Sequence, residues 1–461
     1  MDRICEQANA ANRFSGIYVC NMVLMRRAWS QDEGAMSEQG TQKGGWTIVV
    51  LLFLFMVINF ADKAVVGLAA VPIMAELHLT PKQFGLIGSA FFLLFSFSAV
   101  VTGFVVNRVQ TRWVLLAMGL VWAATQFPIL GTVGFATIVA SRIALGAGEG
   151  PAYPVAIHAT YKWFSNELRT LPTAVIAQGG GVGIMIALPS LNWVLVHYSW
   201  HWAFGVLGIV GLLWCVAWLA LGREGAIAGS PASGAAIAAV PRVPYLRLLL
   251  NPTIIASWCA NFGAYWGLSQ ALTWQGAFLV KGLGFPQGGI GLLAALPAFV
   301  AVVAVVVGGW LSQALQQRGL GTRLSRGIFA GSWVMAGGFA LVVLPYMPTA
   351  ALKIAMTIIG VALPSIIYVI GPAVVGEITP VAQRGAILAI GTAVGSSAGL
   401  LAPYVMGSII ENAATPLAGF NTGFSICGLV MRLGGAIGAV LMHPEREVER
   451  LGGPLPAAQH A

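Results

Sequence analysis

Long apolar stretches broken by short polar connections run along the chain from about residue 46 to residue 442. A helix needs about 20 consecutive apolar residues to cross a bilayer. Roughly a dozen stretches meet that length, near 46–75, 83–106, 113–131, 134–159, 170–195, 200–221, 252–279, 287–314, 326–346, 351–375, 382–410 and 418–441. The pattern predicts an all-α membrane protein of twelve transmembrane helices. After the sixth stretch, "GREGAIAGSPASGAAIAAVPRVPYLR" (222–247) is rich in Gly, Ala, Ser and Pro and reads as a linker. The expected organisation is a disordered cytoplasmic tail over 1–45, a six-helix bundle over 46–221, a cytoplasmic linker over 222–251, a second six-helix bundle over 252–442 and a cytoplasmic tail over 443–461.

The two halves echo each other. "GFVVNRVQTRW" (103–113) follows the second stretch and "GGWLSQALQQRGLGTR" (308–323) follows the eighth, each a glycine, a polar residue and then arginines at a helix end. A duplicated six-helix unit leaves such a pattern, and the halves are expected to be pseudo-symmetric. Within the N-terminal tail, "IYVCNMVLM" (17–25) is too short to span. That region reads either as a tail or as sequence upstream of a start at Met25 or Met36.

Composition sharpens the class. With 58% hydrophobic and 8% charged residues, the chain falls far short of the roughly 25% charge of a water-soluble domain. The formal net charge of +9 does not point to nucleic acid, because the bases sit in loops. Arg108, Arg112, Lys162, Arg169, Arg223, Arg242, Arg247, Arg318, Arg323, Arg326 and Arg384 fall on one side of the expected membrane, and only Lys82, Lys281 and Lys353 on the other. Basic loops stay cytoplasmic, which predicts that both termini are inside. The cysteines, Cys5, Cys20, Cys215, Cys259 and Cys427, are scattered and suggest neither a disulfide framework nor a metal site.

Only Asp62, Lys63, Arg142, Glu149 and Arg432 fall clearly inside the apolar stretches. Each such charge costs at least about 2.5–3.5 kcal/mol at mid-bilayer, so these residues are expected to face an internal cavity and carry function. Arg142 and Glu149 are seven residues apart in "SRIALGAGEGPAYP", two turns and roughly 10 Å along one helix face. They are too far apart to neutralise each other directly. Glycines flank Glu149, and Pro151 and Pro154 follow, so a bent or loosened helix is expected there. A carboxyl in such low-dielectric surroundings is suited to reversible protonation. Asp62 is expected to hold its charge more firmly than Glu149 if the Lys63 ammonium lies close. Two carboxylates and two bases sum to zero, so an entering anion upsets the balance and a proton restores it. The scheme requires both carboxyls to reach a solvent-accessible vestibule rather than lipid. Arg432, in "GLVMRLGGAIG", is expected to snorkel or to meet a helix end.

Other chemistry finds little support. No nucleophile with a positioned base and no metal cluster is present, so an enzyme is not expected. His197 and His201 are four apart without a third ligand, and are expected at the membrane interface beside Trp193, Trp200 and Trp202. "AQGGGVG" (177–183) lacks the partners of a nucleotide loop and reads as a close helix contact. With no ATP-binding motif and no cofactor expected, transport has to run on a gradient. A sensor on a transporter scaffold would call for a long soluble output domain, and the tails are short.

Four segments in order, "NFADKAVVGLAA", "SRIALGAGEGPAYPVAIHATYKWFSNELRT", "SWHWAFGVLGIVGLLW" and "GEITPVAQRGAILAIGTAVGSSAGLLAPYVMG", resemble the major facilitator superfamily and, within it, the anion:cation symporter family, over about residues 46–442. "GFVVNRVQTRW" is similar to the superfamily's loop motif between the second and third helices. The resemblance implies two six-helix bundles around a central site, and bacterial inner-membrane members that carry carboxylates with protons. It implies proton coupling at Asp62 and Glu149, and anion binding or gating at Lys63 and Arg142. Gln178, Tyr265 and Ser396 or Ser397 match polar substrate-lining positions, and Asn261 joins them on the seventh stretch. Phe60 and Phe95 stand in the implied cavity where many relatives have tyrosine. Lys63 replaces arginine, a point charge in place of a bidentate fork. Asn107 stands for aspartate in the loop motif, and His201 for an arginine in "SWRW".

The expected partners are therefore a small organic anion, protons and the lipid bilayer, with no nucleic acid, and a monomer suffices. Fewer hydroxyl donors tilt the expected substrate toward an aromatic or lightly hydroxylated carboxylate. Export or anion exchange is the alternative within transport.

Overall fold

The computed structural model describes residues 44–106, 108–131, 133–165, 168–225 and 243–450. The expectations for residues 1–43, including the apolar patch, the alternative starts, Cys5 and Cys20, fall outside the described residues, as do those for Asn107, for 226–242 of the linker with Arg242, and for 451–461.

Regular structure among the described residues is helical throughout. The first half comprises α1 (Gly45–Leu68), α2 (Ala70–Glu76), α3 (Pro81–Val105), α4 (Thr111–Gln126), α5 (Phe135–Glu149), α6 (Ala152–Tyr161), α7 (Thr170–His197) and α8 (Trp200–Leu221). A short helix α9 (Tyr245–Leu249) leads into the second half: α10 (Pro252–Ala277), α11 (Ile290–Gln317), α12 (Phe329–Val343), α13 (Ala350–Ala362), α14 (Ile367–Ile378), α15 (Val381–Glu411) and α16 (Pro416–Leu441), followed by α17 (Pro444–Arg450). Pairs such as α1–α2, α5–α6 and α13–α14 each make one interrupted crossing, which gives twelve crossings among the described residues.

Local chemistry explains where several helices start. Thr80 closes a capping box with Gln83 and is followed by Pro81 at the first helical position. Asn251 accepts from the N–H groups of Thr253 and Ile254, again just before a proline, and Thr415 accepts from Ala418 before Pro416. The interruption between α5 and α6 falls at Gly150–Pro151, where the sequence pattern expects a loosened helix.

By length and hydropathy, ten described helical spans are apolar enough to cross a membrane. The fourth and seventh crossings fall short, the fourth because it is broken at Gly150 and the seventh because Asn261, Gln270, Thr273 and Gln275 interrupt its apolar run. These two crossings also carry Arg142, Glu149, Asn261 and Tyr265.

At the arginine-rich end of the molecule, each half fastens its helix ends with a carboxylate. Glu224, beyond α8, accepts from the Thr111 hydroxyl (2.9 Å to each oxygen) and the Arg112 N–H (3.0 Å) at the start of α4, and pairs with Lys162 beyond α6. In the second half, Glu445 on α17 accepts from Thr322 ahead of α12, and Arg326 meets Glu377 at 2.7 Å. An anion is favoured at a helix N-terminus by the free N–H groups and the helix dipole. Burial works to raise Glu224, but Lys162, the Arg112 N–H and Thr111 outweigh it and hold the carboxyl below its ordinary range. A depressed carboxyl contributes stability above the unfolded value of about 4.3, and that contribution is lost as pH falls through the folded value beneath it. Glu224→Gln is expected to lower stability by about 1–3 kcal/mol at neutral pH. Thermal unfolding of purified protein in detergent checks this, and the gap from the parent should close on acidification.

The two halves meet along α1 with α10, α3 with α15, and α7 with α11. At the end away from the arginines the backbones touch. A Cβ on Gly67 of α1 would lie 2.0 Å from the Leu272 carbonyl oxygen, and one on Gly276 of α10 would lie 2.3 Å from the Gly67 carbonyl oxygen. Only glycine allows that approach, and it closes this end. Toward the arginine-rich end the halves diverge around a cavity.

Candidate functional site

The expected charges converge inside the first bundle. Asn59, Asp62 and Lys63 lie on neighbouring turns of α1, Gln126 ends α4, and Arg142 and Glu149 lie along α5. Lys63 Nζ is 3.0 Å from Glu149 Oε2, with angles outside hydrogen-bond geometry, and it also donates to Asn59 Oδ1. Gln126 Nε2 donates to Asp62 Oδ1 at 3.0 Å, and Arg142 Nη1 donates to the Asp62 backbone carbonyl at 3.1 Å. Aromatic rings surround the bases. Lys63 Nζ lies 4.5 Å from the Phe60 ring centre and 5.4 Å from that of Phe95, and the Arg142 guanidinium lies 5.8 Å from that of Phe204.

The condition set for a firmly charged Asp62, a Lys63 ammonium held close to it, is not met by an ion pair: the ammonium goes to Glu149. The physical reason is helix geometry, since adjacent residues point in different directions around the axis. Asp62 turns toward α4 and Lys63 toward α5.

Between the bundles lies a cavity of about 1060 Å³. Phe60 and Gln178 line it from the first half, and Trp258, Asn261, Tyr265 and Tyr368 from the second. Arg169 stands among residues 161–174 at its mouth and is the one charged lining residue among those described. Tyr265 and Tyr368 meet edge to face at 5.9 Å, and Asn261 donates to the Gly391 carbonyl at 3.3 Å.

Several expected positions do not line this cavity. Asp62 and Glu149 are each 1% exposed and Arg142 2%, so neither carboxyl touches lipid and neither reaches the open vestibule that the charge scheme requires. Lys63 is also set back from the lining, behind Phe60. Phe95, expected in the cavity wall, packs instead with Phe91 and Phe92. Ser396 is buried and bonds Ser96 across the α3–α15 contact, and the Ser397 hydroxyl is turned to the Val394 carbonyl at 2.7 Å. A helix that is apolar all round does not reveal which face meets the cavity, and packing put these two serines on other faces.

Some residues of the site escaped the sequence reading. Asn59 and Gln126 complete the buried cluster, and Trp258 and Tyr368 form cavity wall. Gln126 has a signal in the sequence, an uncharged polar side chain within the third apolar stretch, but carries no charge to set it apart.

Among the described residues no group of three His, Cys, Asp or Glu could hold a metal. His197 stacks on Trp193, whereas His201 stacks on Trp200 and sits between the Ile129 carbonyl (2.6 Å) and Glu76 (2.9 Å). The Trp200 indole N–H and His201 together hold the Glu76 carboxyl below its ordinary range. Arg432 is exposed, with its guanidinium 5.8 Å from the Phe339 ring centre.

Comparisons with known proteins agree with this architecture. The chain is 23% identical over 386 residues to the hexuronate transporter of Bacillus subtilis (strain 168), covering 83% of this chain and 90% of that protein. It is 26% identical over 300 residues to the D-galactonate transporter of Escherichia coli O6:H1, covering 60% and 69% respectively. In fold it matches a bacterial homolog of the human lysosomal transporter Spinster, in an inward-facing and unoccupied conformation, with a TM-score of 0.71 at 17% identity, over 89% of this chain and 99% of that one. Residues 52–336 match the family model of the Major Facilitator Superfamily, and with its twelve crossings around a central cavity the chain belongs to that superfamily.

Proposed function

We propose that the protein is a proton-coupled symporter of a small organic anion, an aromatic or lightly hydroxylated carboxylate, working by alternating access. The observation that carries this reading is the buried Lys63–Glu149 pair directly behind Phe60 of the cavity wall. While Glu149 is ionised, it holds the ammonium. In this reading Phe60 swings aside and opens the buried pair to the cavity; a proton entering by that route neutralises Glu149, removes its hold and leaves Lys63 for an anion. Cluster charge stays balanced, because the two carboxylates and two bases cancel before binding and the proton offsets the incoming anion.

Relatives named for hexuronate and D-galactonate transport support the anion class. Those substrates carry many hydroxyls, whereas this cavity is lined mostly by aliphatic residues, with the rings of Phe60, Trp258, Tyr265 and Tyr368 among them. Rings favour flat apolar bodies. In this reading the arginine-rich end is cytoplasmic, both termini are inside, the membrane is a bacterial inner membrane, and one chain suffices.

The test is uptake into proteoliposomes, with and without an inward proton gradient, across a panel of aromatic monocarboxylates and sugar acids. Gradient-driven accumulation of an aromatic acid, weakened at least about tenfold by Trp258→Ala, is the expected result; a tenfold change corresponds to about 1.4 kcal/mol. Accumulation of sugar acids alone would refute the substrate class. Anion exchange is the second reading, favoured by the closure of both carboxyls from the cavity. It is supported if counterflow proceeds and the gradient has no effect.

A further inference from the structure

Asp62 is held by a residue that the coupling scheme does not use. Gln126, the last residue of α4, is fully buried, and its amide N–H is the donor to the Asp62 carboxyl. The bases nearby are engaged elsewhere, since Arg142 Nη1 goes to the Asp62 backbone carbonyl and Lys63 to Glu149 and Asn59. The other end of the same amide, Gln126 Oε1, is buried without a hydrogen-bond partner. A buried acceptor left unpaired is costly, and native interiors rarely keep one without a use.

We propose that Gln126 is the positioning residue that holds Asp62 in both of its protonation states. The proposal rests on the reading of Asp62 as a proton-coupling group. A carboxylate only accepts hydrogen bonds, whereas a carboxylic acid must also donate one. An uncharged amide serves both without changing its own charge. It gives N–H to the carboxylate, and after a half-turn about its terminal torsion, which is broad and two-fold, it offers oxygen to the acid O–H. The unpaired Oε1 is the acceptor that the second state needs. One proton from water adds to Asp62 and no covalent bond of Gln126 changes. The charged groups facing Asp62 are Lys63 on its own helix and Arg142 and Glu149 on α5, and α4 contributes Gln126. The plain alternative is a core glutamine that has found the nearest acceptor, in which case Oε1 has no part in titration.

The experiment is infrared difference spectroscopy of the purified full chain across the pH range in which it stays folded. The C=O stretching band of protonated Asp62 is the one missing from Asp62→Asn. In Gln126→Leu that band should move to higher wavenumber, because the acid has lost its acceptor. Gln126→Asn, one methylene too short to reach, should shift it in the same direction and decides the matter if the leucine variant does not fold. An Asp62 band that both folded variants leave in place overturns the assignment to Gln126 while leaving proton coupling intact. Absence of any Asp62-dependent band overturns proton uptake at Asp62, and with it the two-state role of Gln126.

Discussion

Glu149→Gln is expected to abolish accumulation against a gradient while substrate exchange across the membrane continues. The amide keeps the size of the carboxyl but cannot ionise, so Lys63 is released permanently and anion binding no longer waits for a proton. Proteoliposomes loaded with substrate should still show counterflow, whereas an imposed pH gradient should drive no net uptake. Binding to the purified variant should also lose most of its pH dependence, since the group that competes for the ammonium has lost its charge. Normal uphill uptake by this variant sinks the coupling role of Glu149. Loss of exchange together with uptake assigns the pair to the binding geometry instead.

Gly67→Val should hold the closed end of the molecule open. A Cβ at Gly67 stands 2.0 Å from the Leu272 oxygen, and real side chains need at least 3.0 Å, so α1 and α10 must separate by about 1 Å or more. Gly276 faces the Gly67 carbonyl from the other helix and doubles the constraint. Packed interfaces of this kind switch between arrangements rather than stretch, so the population moves to the state open at this end. Spin-label distances across the closed end should lengthen, and turnover should fall by at least about tenfold, which a population shift of about 1.4 kcal/mol supplies. Unchanged distances would defeat this account. Gly146→Val is the control. Its Cβ would meet the Phe91 carbonyl oxygen at 1.8 Å, but α3 and α5 belong to one bundle. There the expected loss is of folded protein, not of gating.

Glu149 shows how far the chain's own pattern reaches. Its place in a glycine- and proline-flanked stretch is visible from residues 146–154, and the break at Gly150–Pro151 follows from their backbone chemistry. Its counter-ion is not visible there, because Lys63 is 86 positions earlier and reaches Glu149 only through the packing of α1 against the rest of its bundle. Phe60 and Gln178 face the cavity, whereas Phe95 and Ser396, on equally apolar helices, face neighbouring helices.

Membrane class, the twelve crossings, the capped helix starts and the few charges within the bilayer were all present in residue order, because bilayer thickness and helix capping act over a single span. Which base meets which acid, which wall an uncharged polar side chain joins, and which end of the molecule is shut were decided by three-dimensional packing alone. A helix surrounded by lipid and other helices is apolar on every side, so hydropathy carries no angular signal, and rotation is chosen by close contacts such as that of Gly67 with Leu272.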